Sequence, residues 1–379
     1  MTGILAILLI TSSVMWAVLV LGAVLGFQRT RVFTPSGEIQ PGERRITVII
    51  PARNEERDLE NSLNTLLPQE GVDLEVIIVN DDSTDRTGVI ADRIAASDPR
   101  VRVMHSPAVR PGWLGKTSAM QSALESTGGE LLLFTDADIF HGPGTLAAAF
   151  DLLEKKQADL FSVFPGFIIG PFWENAMLPM YFTGITLFLS EHLEDPDREE
   201  AAASGAFILI RRKALIESGG FEPVSQCMYD DLNLAVNIKS HGFRVLFRLA
   251  PEAVRVEMFK TEKDAFWGTT KNVLMVGKGR PWVAVPALFV SYVMFFAPIV
   301  AAVVGIVTGP AWLALAGIAL YFLQYSSLFL CRRYFRFSPL KALAFPLSTV
   351  VATACIARAL HLFYGRGEVE WRGRRVKIR

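Results

Sequence analysis

The sequence predicts an α/β domain built on a mostly parallel sheet, with transmembrane helices at both ends. Three observations carry that prediction. Two long stretches lack any charged side chain, the region between them alternates short apolar runs with helical patterns, and the runs end in polar, acidic residues. Over 379 residues, AVILMFWYC types make up 51 % and charged types 20 %, more apolar than a water-soluble domain requires. These averages combine two populations.

Residues 1–28 and 281–331 contain no Asp, Glu, Lys or Arg. A bilayer core of about 30 Å takes roughly 20 apolar helical residues. The first stretch therefore supports one crossing, and the second supports two, broken at Gly309-Pro310. The first lacks a basic start and is too long for the apolar core of a signal peptide, so it is expected to persist as an anchor. Residues 29–280 are long enough for one substantial domain. Residues 332–379 add a basic loop, an apolar segment and a basic tail. The uncharged part of that segment, 342–357, is interrupted by Pro346 and followed by Arg358. It is too short to cross, and is expected to be re-entrant or interfacial. Arg29 and Arg31 follow the first span, Arg332 and Arg333 follow the third, and the tail carries Arg366, Arg372, Arg374, Arg375, Lys377 and Arg379. Basic residues stay inside, which places the domain and the tail in the cytoplasm and the protein in the inner membrane as a multi-pass chain.

The 38 basic and 38 acidic residues cancel, which argues against nucleic acid as a partner. Cys227, Cys331 and Cys355 have no C-x-x-C spacing, so neither a disulfide scaffold nor a cysteine zinc site is expected.

Within 29–280 the apolar runs are 46–50, 74–79, 101–104 and 131–134. The helical patterns between them are 58–67, 87–96 and 117–126. Unbroken apolar runs predict strands buried on both faces, as in a parallel sheet. Such sheets bind ligands beyond the carboxyl ends of their strands. Here those ends carry Arg53, Asn54 and Glu55, then Asn80 through Asp85, then Asp136 and Asp138. An extended continuation of the last strand would turn both aspartates to one side, suited to a divalent cation that keeps one or two carboxylates and takes diphosphate oxygens as well. Alone, Asp-x-Asp also reads as a turn cap. Residues 111–116, ending in Gly115-Lys116, form a glycine-bearing turn before a helix, a setting that favours an anion such as diphosphate.

The order Ile49-Ile-Pro-Ala-Arg-Asn-Glu55, Asn80-Asp-Asp-Ser-Thr-Asp85, Gly115-Lys116, Asp136-Ala-Asp138, Gly205-Ala-Phe207 and Tyr229-Asp-Asp231 resembles family 2 glycosyltransferases with the GT-A fold. Within that family the chain is similar to bacterial membrane enzymes associated with carotenoid and hopanoid lipids, most of all over Val254-Arg-Val-Glu-Met-Phe259 and Trp267-Gly-Thr-Thr-Lys-Asn272. The resemblance implies a nucleotide-diphosphate sugar as donor and Mg²⁺ or Mn²⁺ as cofactor. It also implies metal binding by Asp138, nucleotide-sugar contacts from Pro51, Arg53, Asn54, Glu55, Asp81, Lys116, Asp136 and Lys271, and Asp231 as catalytic base. Thr269-Thr-Lys-Asn272 stands where polysaccharide synthases of the family carry Gln-x-x-Arg-Trp, which argues against processive polymer synthesis.

The chemistry fits these residue types. A cation and Lys116 offset charge developing on the departing diphosphate, while one carboxylate takes the proton of an acceptor hydroxyl. Asp230 and Asp231 diverge by about 100° at a helix start, so one faces the reaction and the other is expected to cap the helix. The expectation is an inverting transferase acting on a hydroxyl of a membrane lipid, with the lipid entering over residues 164–190. That segment is apolar and aromatic with a single charge, Glu174. A polyprenyl-phosphate glycosyltransferase and a non-catalytic sugar-nucleotide or lipid-binding protein stay open as alternatives. Sequence leaves the oligomeric state undetermined.

Overall fold

The computed structural model describes residues 2–29, 31–35, 44–105, 109–185, 191–276, 284–332, 335–366, 368–371 and 374–377. The chain divides into two compact units. One consists of Thr30–Phe167 with Glu191–Glu257, and the other of Met1–Arg29, Ile168–Ser190 and Met258–Arg379.

The first unit is built on a sheet of β1 (Arg45–Ala52), β2 (Asp73–Asn80), β3 (Val101–His105), β4 (Leu131–Phe134), β5 (Ile139–His141), β6 (Leu160–Ile168), β7 (Ile208–Arg211) and β8 (Val245–Val256). Their order across the sheet is β3-β2-β1-β4-β7-β6-β8-β5. The first four pair in parallel, and β6 pairs in parallel with β8. Of these eight strands, β7 and β5 run against their neighbours. The apolar runs explain this arrangement. All four residues of β4 are buried, as are Ile46, Val48, Ile49 and Ile50 of β1, which leaves no wet face on the central strands. Helices Leu59–Leu66, Thr87–Ser97 and Gly115–Ser126 return the chain between β1 and β4 and cover the sheet. Phe134 meets Phe221 edge to face at 4.9 Å in the core beneath the strand ends.

The alternation expected to carry Asp136 and Asp138 to one side does not hold. β4 stops at Phe134, Ala137 and Asp138 form a turn with Ala137 buried, and β5 starts at Ile139.

The second unit gathers the apolar helices. Among the described residues, four runs are long and apolar enough to cross a membrane: Thr2–Gly26, Leu288–Thr308, Ala311–Leu330 and Phe345–Gly365. Two of them approach closely at Gly317, where a Cβ would lie 2.4 Å from the carbonyl oxygen of Pro298. Ser12 Oγ and Gln324 Nε2 both donate to the Met294 carbonyl, at 2.7 and 3.0 Å, so these donors in apolar helices are satisfied.

The division differs from the contiguous 29–280 domain expected from charge. Helix Phe172–Ile185 groups with the apolar helices, and Glu262 accepts the backbone N–H groups of Phe172 and Trp173 at 2.5 and 3.2 Å. An acid from another helix thus satisfies its open N-terminus. The last five residues of the expected lipid-entry segment, 186–190, lie outside the described residues.

Candidate active site

The carboxyl ends of β1, β2 and β4 lie side by side, and their loops are stitched together by the residues expected to hold the nucleotide. Arg53 donates through Nη1 to the carbonyls of Asp81 and Asp82, at 2.6 and 2.9 Å. Asn54 takes a left-handed φ of 54°, its side-chain oxygen accepts the Thr84 N–H at 2.8 Å, and its own N–H donates to Ser83 Oγ. The backbone N–H of Glu55 donates to Thr87 Oγ1 at 2.7 Å. Asp81 is buried, and its N–H donates to the Ala52 carbonyl at 2.9 Å. Arg53, Asn54 and Glu55 therefore build the loop frame, with Asp81 held inside it.

A second group forms where β4 ends. Lys116, in the first turn of helix Gly115–Ser126, places Nζ 2.6 Å from Asp136 Oδ1 and 3.9 Å from Asp230 Oδ2. Leu114 N–H and Thr117 Oγ1 both donate to the Ser225 carbonyl, at 2.8 and 2.9 Å, which fixes that turn against the segment leading to Asp230. Asp136 N–H donates to the Gly205 carbonyl at 3.1 Å, and Gly205 N–H donates to Asp231 Oδ2 at 2.8 Å. Gly205 leaves room for this ion pair as it stands. A Cβ there would stand 2.7 Å from Lys116 Nζ and 3.0 Å from Asp136 Oδ2. Pro51, Lys116, Asp136, Gly205, Asp230 and Asp231 line one small cavity.

The electrostatics follow from one cation among three carboxylates. Burial works against the charge of Lys116, but Asp136, then Asp230 and Asp231, outweigh it and raise its pKa. Burial pushes the Asp230 carboxyl up to about 6, against the pull of Lys116 and with help from Asp231 and Asp136. Asp230 was expected to cap helix Asp230–Ser240, yet no side chain caps it through Tyr229, and Asp230 is drawn to Lys116 instead. Its neighbour Asp231 carries the local backbone bonds, with Oδ1 accepting the Leu232 N–H at 2.8 Å. Each oxygen of a carboxylate has two acceptor positions, so both oxygens of Asp231 keep one for a proton donor.

Asp138 is half-buried in the turn two residues beyond Asp136. Among the described residues no group of three or more His, Cys, Asp or Glu side chains is arranged to hold a metal ion. A carboxylate that needs ligand oxygens to complete the shell fits Mg²⁺ or Mn²⁺ arriving with a diphosphate, and does not fit a closed structural site. Lys271 lies on helix Glu262–Val276, with its side chain outside those described. Cys227 is half-buried against the core, its thiol pushed up by burial and by Asp230, in keeping with packing rather than nucleophilic chemistry.

Sequence reasoning missed two contributors. The Gly205 backbone bridges Asp136 and Asp231, a long-range contact for which a single sequence offers no signal beyond Gly205-Ala-Phe207 itself. Asp230 is the buried acid facing Lys116, and its adjacency to Asp231 was the available clue.

Comparison with known proteins bears on this arrangement. Residues 47–219 match the family model for glycosyl transferase family 2. Two 4,4'-diaponeurosporenoate glycosyltransferases of Staphylococcus aureus are similar along most of their length. That of strain USA300 is 25 % identical over 346 residues, covering 88 % of this chain and 89 % of the relative, and that of strain MRSA252 is 24 % identical over 343 residues. Among solved structures, the mannosyltransferase PcManGT from Pyrobaculum calidifontis, in complex with GDP-Man and Mn²⁺, aligns at a TM-score of 0.53 and 18 % identity, over 93 % of this chain and 99 % of that one. That likeness bears on the fold alone.

Proposed function

The chain is a glycosyltransferase carrying the family 2 domain, and from that premise we propose that it transfers a sugar, with inversion, from a nucleotide-diphosphate sugar to an oxygen of an apolar membrane lipid. The observation that carries this reading is the convergence of Lys116, Asp136, Asp230 and Asp231 at the carboxyl end of β4. Donor and base functions need opposite signs of charge within one small space, and this cluster supplies both.

In this reading Asp81 and Asp136 take the nucleoside, and Asp138 would hold Mg²⁺ or Mn²⁺. When bound, the cation offsets negative charge on the leaving group. Lys116 adds a fixed positive charge beside it. Asp231 accepts the proton of an acceptor hydroxyl as the bond to the anomeric carbon forms, and the Gly205 and Leu232 N–H groups orient its carboxylate. PcManGT binds GDP-Man with Mn²⁺, which supports a donor of this class. The Staphylococcus aureus relatives are named for a carotenoid acid, which supports a long apolar acceptor. The grouping of helix Phe172–Ile185 with the apolar helices supports delivery of that acceptor from a bilayer. A multi-pass inner-membrane location with the sheet domain in the cytoplasm completes the proposal.

The test is a pair of measurements on full-length protein in lipid nanodiscs. Radiolabelled UDP- and GDP-sugars should be turned over with Mn²⁺ and not after chelation. Lipid extracts of expressing cells should gain a hexose-mass adduct that is missing without the gene. A label found only on polyprenyl phosphate, or no turnover with any donor, would refute this acceptor assignment.

A further inference from the structure

Lys239 is a buried cation that the mechanism above leaves unused. It stands in the last turn of helix Asp230–Ser240 and is 8 % exposed. Its Nζ donates to the carbonyls of Glu200 and Leu193, at 2.6 and 3.1 Å. Burial pushes its pKa down, against the pull of Asp195 and Glu200. The helix dipole favours a cation at this end, yet an exposed lysine would gain from it without the cost of burial. The charge is spent on two backbone carbonyls of one loop.

That loop leads to the active site. Ala201 and Ala203 are buried in one core cluster with Leu234, Ala235 and Ile238 of the helix. Beyond them, Ser204 N–H donates to Ser162 Oγ of β6 at 2.9 Å, and Gly205 N–H donates to Asp231 Oδ2 at 2.8 Å. Residues 193–205 thus form a strap bonded to both ends of one helix. It is tied at Asp231 in the first turn and at Lys239, about 12 Å further along the axis. Among the described residues, Lys239 supplies the one hydrogen bond that ties residues 195–203 to the rest of the chain. Without it, the approach to Gly205 keeps only the packing of small side chains.

We infer that Lys239 positions Asp231 for proton transfer, acting through the strap that brings Gly205 N–H to its carboxylate. The inference rests on Asp231 as the base and adds a residue from the far end of the same helix. Lys239 is a positioning residue, remote from the reacting atoms. Donor binding does not share the dependence, because the Asp136 carboxylate is held by Lys116.

The test is turnover of radiolabelled UDP- and GDP-sugars with Mn²⁺, by full-length protein in nanodiscs made with lipid extract of the expressing cells. Lys239→Met should lower kcat about tenfold or more, since a misplacement of about 1 Å can cost about 10² in rate. Affinity for UDP and GDP with Mn²⁺ should stay near wild type. Lys239→Arg keeps charge and donors, and should restore most of the turnover. In an Asp231→Asn background, Lys239→Met should lower the residual turnover no further, because a residue that acts through Asp231 then has no base to position. An equal drop in both backgrounds overturns the inference and leaves Asp231 as base. Unchanged kcat in Lys239→Met does the same. Should the thermal midpoint show Lys239→Met to be unfolded, Lys239→Gln takes its place in both backgrounds, with the same outcomes deciding. Wild-type turnover in Asp231→Asn alone removes the base reading, and the inference falls with it.

Discussion

Asp230 and Asp231 are adjacent in sequence and differ in nearly every physical respect. Asp231 is tied by backbone N–H groups and keeps lone pairs free, whereas Asp230 is 14 % exposed and faces Lys116 across 3.9 Å. If Asp231 is the base, Asp231→Asn should lower turnover by about 10²–10⁴. Its remaining side-chain oxygen still accepts from Gly205, so donor affinity, measured by nucleotide titration, should stay near wild type. A variant turning over at the wild-type rate would remove Asp231 from the mechanism. Asp230 makes a different prediction. Its folded pKa, about 6, lies above the ordinary 3.8, so between those values the folded protein holds a proton that the unfolded chain releases. Stability contributed by this group therefore falls as pH rises through that window. Asp230→Asn should abolish that dependence, and the thermal midpoint of the variant should gain on wild type between pH 4 and 6.5 and then run parallel. A constant gap across that range would contradict the burial of Asp230 as a charged group.

At the scale of elements, helix Phe172–Ile185 depends on an acid from elsewhere in the chain. Glu262 is both its hydrogen-bond acceptor and a negative charge at its positive end. Glu262→Ala should cost about 1 kcal/mol locally. The loss should appear as faster amide hydrogen exchange in residues 172–178, with the strands of the sheet unaffected. Unchanged exchange would mean that packing alone holds the helix. What was readable in sequence follows the same division between local and distant. The first four strands and the helices between them were legible because five or so consecutive apolar residues between polar turns admit few other structures. β5, with three residues, and β7, with four, have no comparable signal, since their partners lie far along the chain. The turn at Asp138 was hidden for that reason. So was the pairing of Lys116 with Asp136, because a lysine at a helix start and an aspartate beyond a strand look independent until the sheet brings them together. The strand-end acids were visible, and the hydrogen bonds and ion pairs that tie them together were not.

For the whole molecule the open question is where the tail lies. Among the described residues four runs have the length of a crossing, and Phe345–Gly365 is the least apolar of them, at a mean hydropathy of 1.4 against 2.6 for Thr2–Gly26. Taken by length alone, its 21 residues cross, and the basic tail would emerge on the side opposite the sheet domain. Its contacts argue otherwise. Arg358 stacks over Trp267 at 4.4 Å, and Cys355 Sγ lies 3.7 Å from the Phe266 carbonyl. Both partners sit on helix Glu262–Val276, which carries Glu262, Lys263, Asp264 and Lys271. A helix with that charge and an outward tryptophan belongs at the headgroup level, and Arg358 stacked on it belongs there too. From Phe345 to Arg358 the helix then has about 20 Å of rise, short of the roughly 30 Å a crossing needs. The run should therefore enter the bilayer and return, leaving the basic tail on the side of Arg332, as the distribution of positive charge also requires. A cysteine placed at Val376 should resist a membrane-impermeant maleimide in intact spheroplasts and react after lysis. Labelling from outside would make Phe345–Gly365 a fourth crossing and put the tail beyond the membrane.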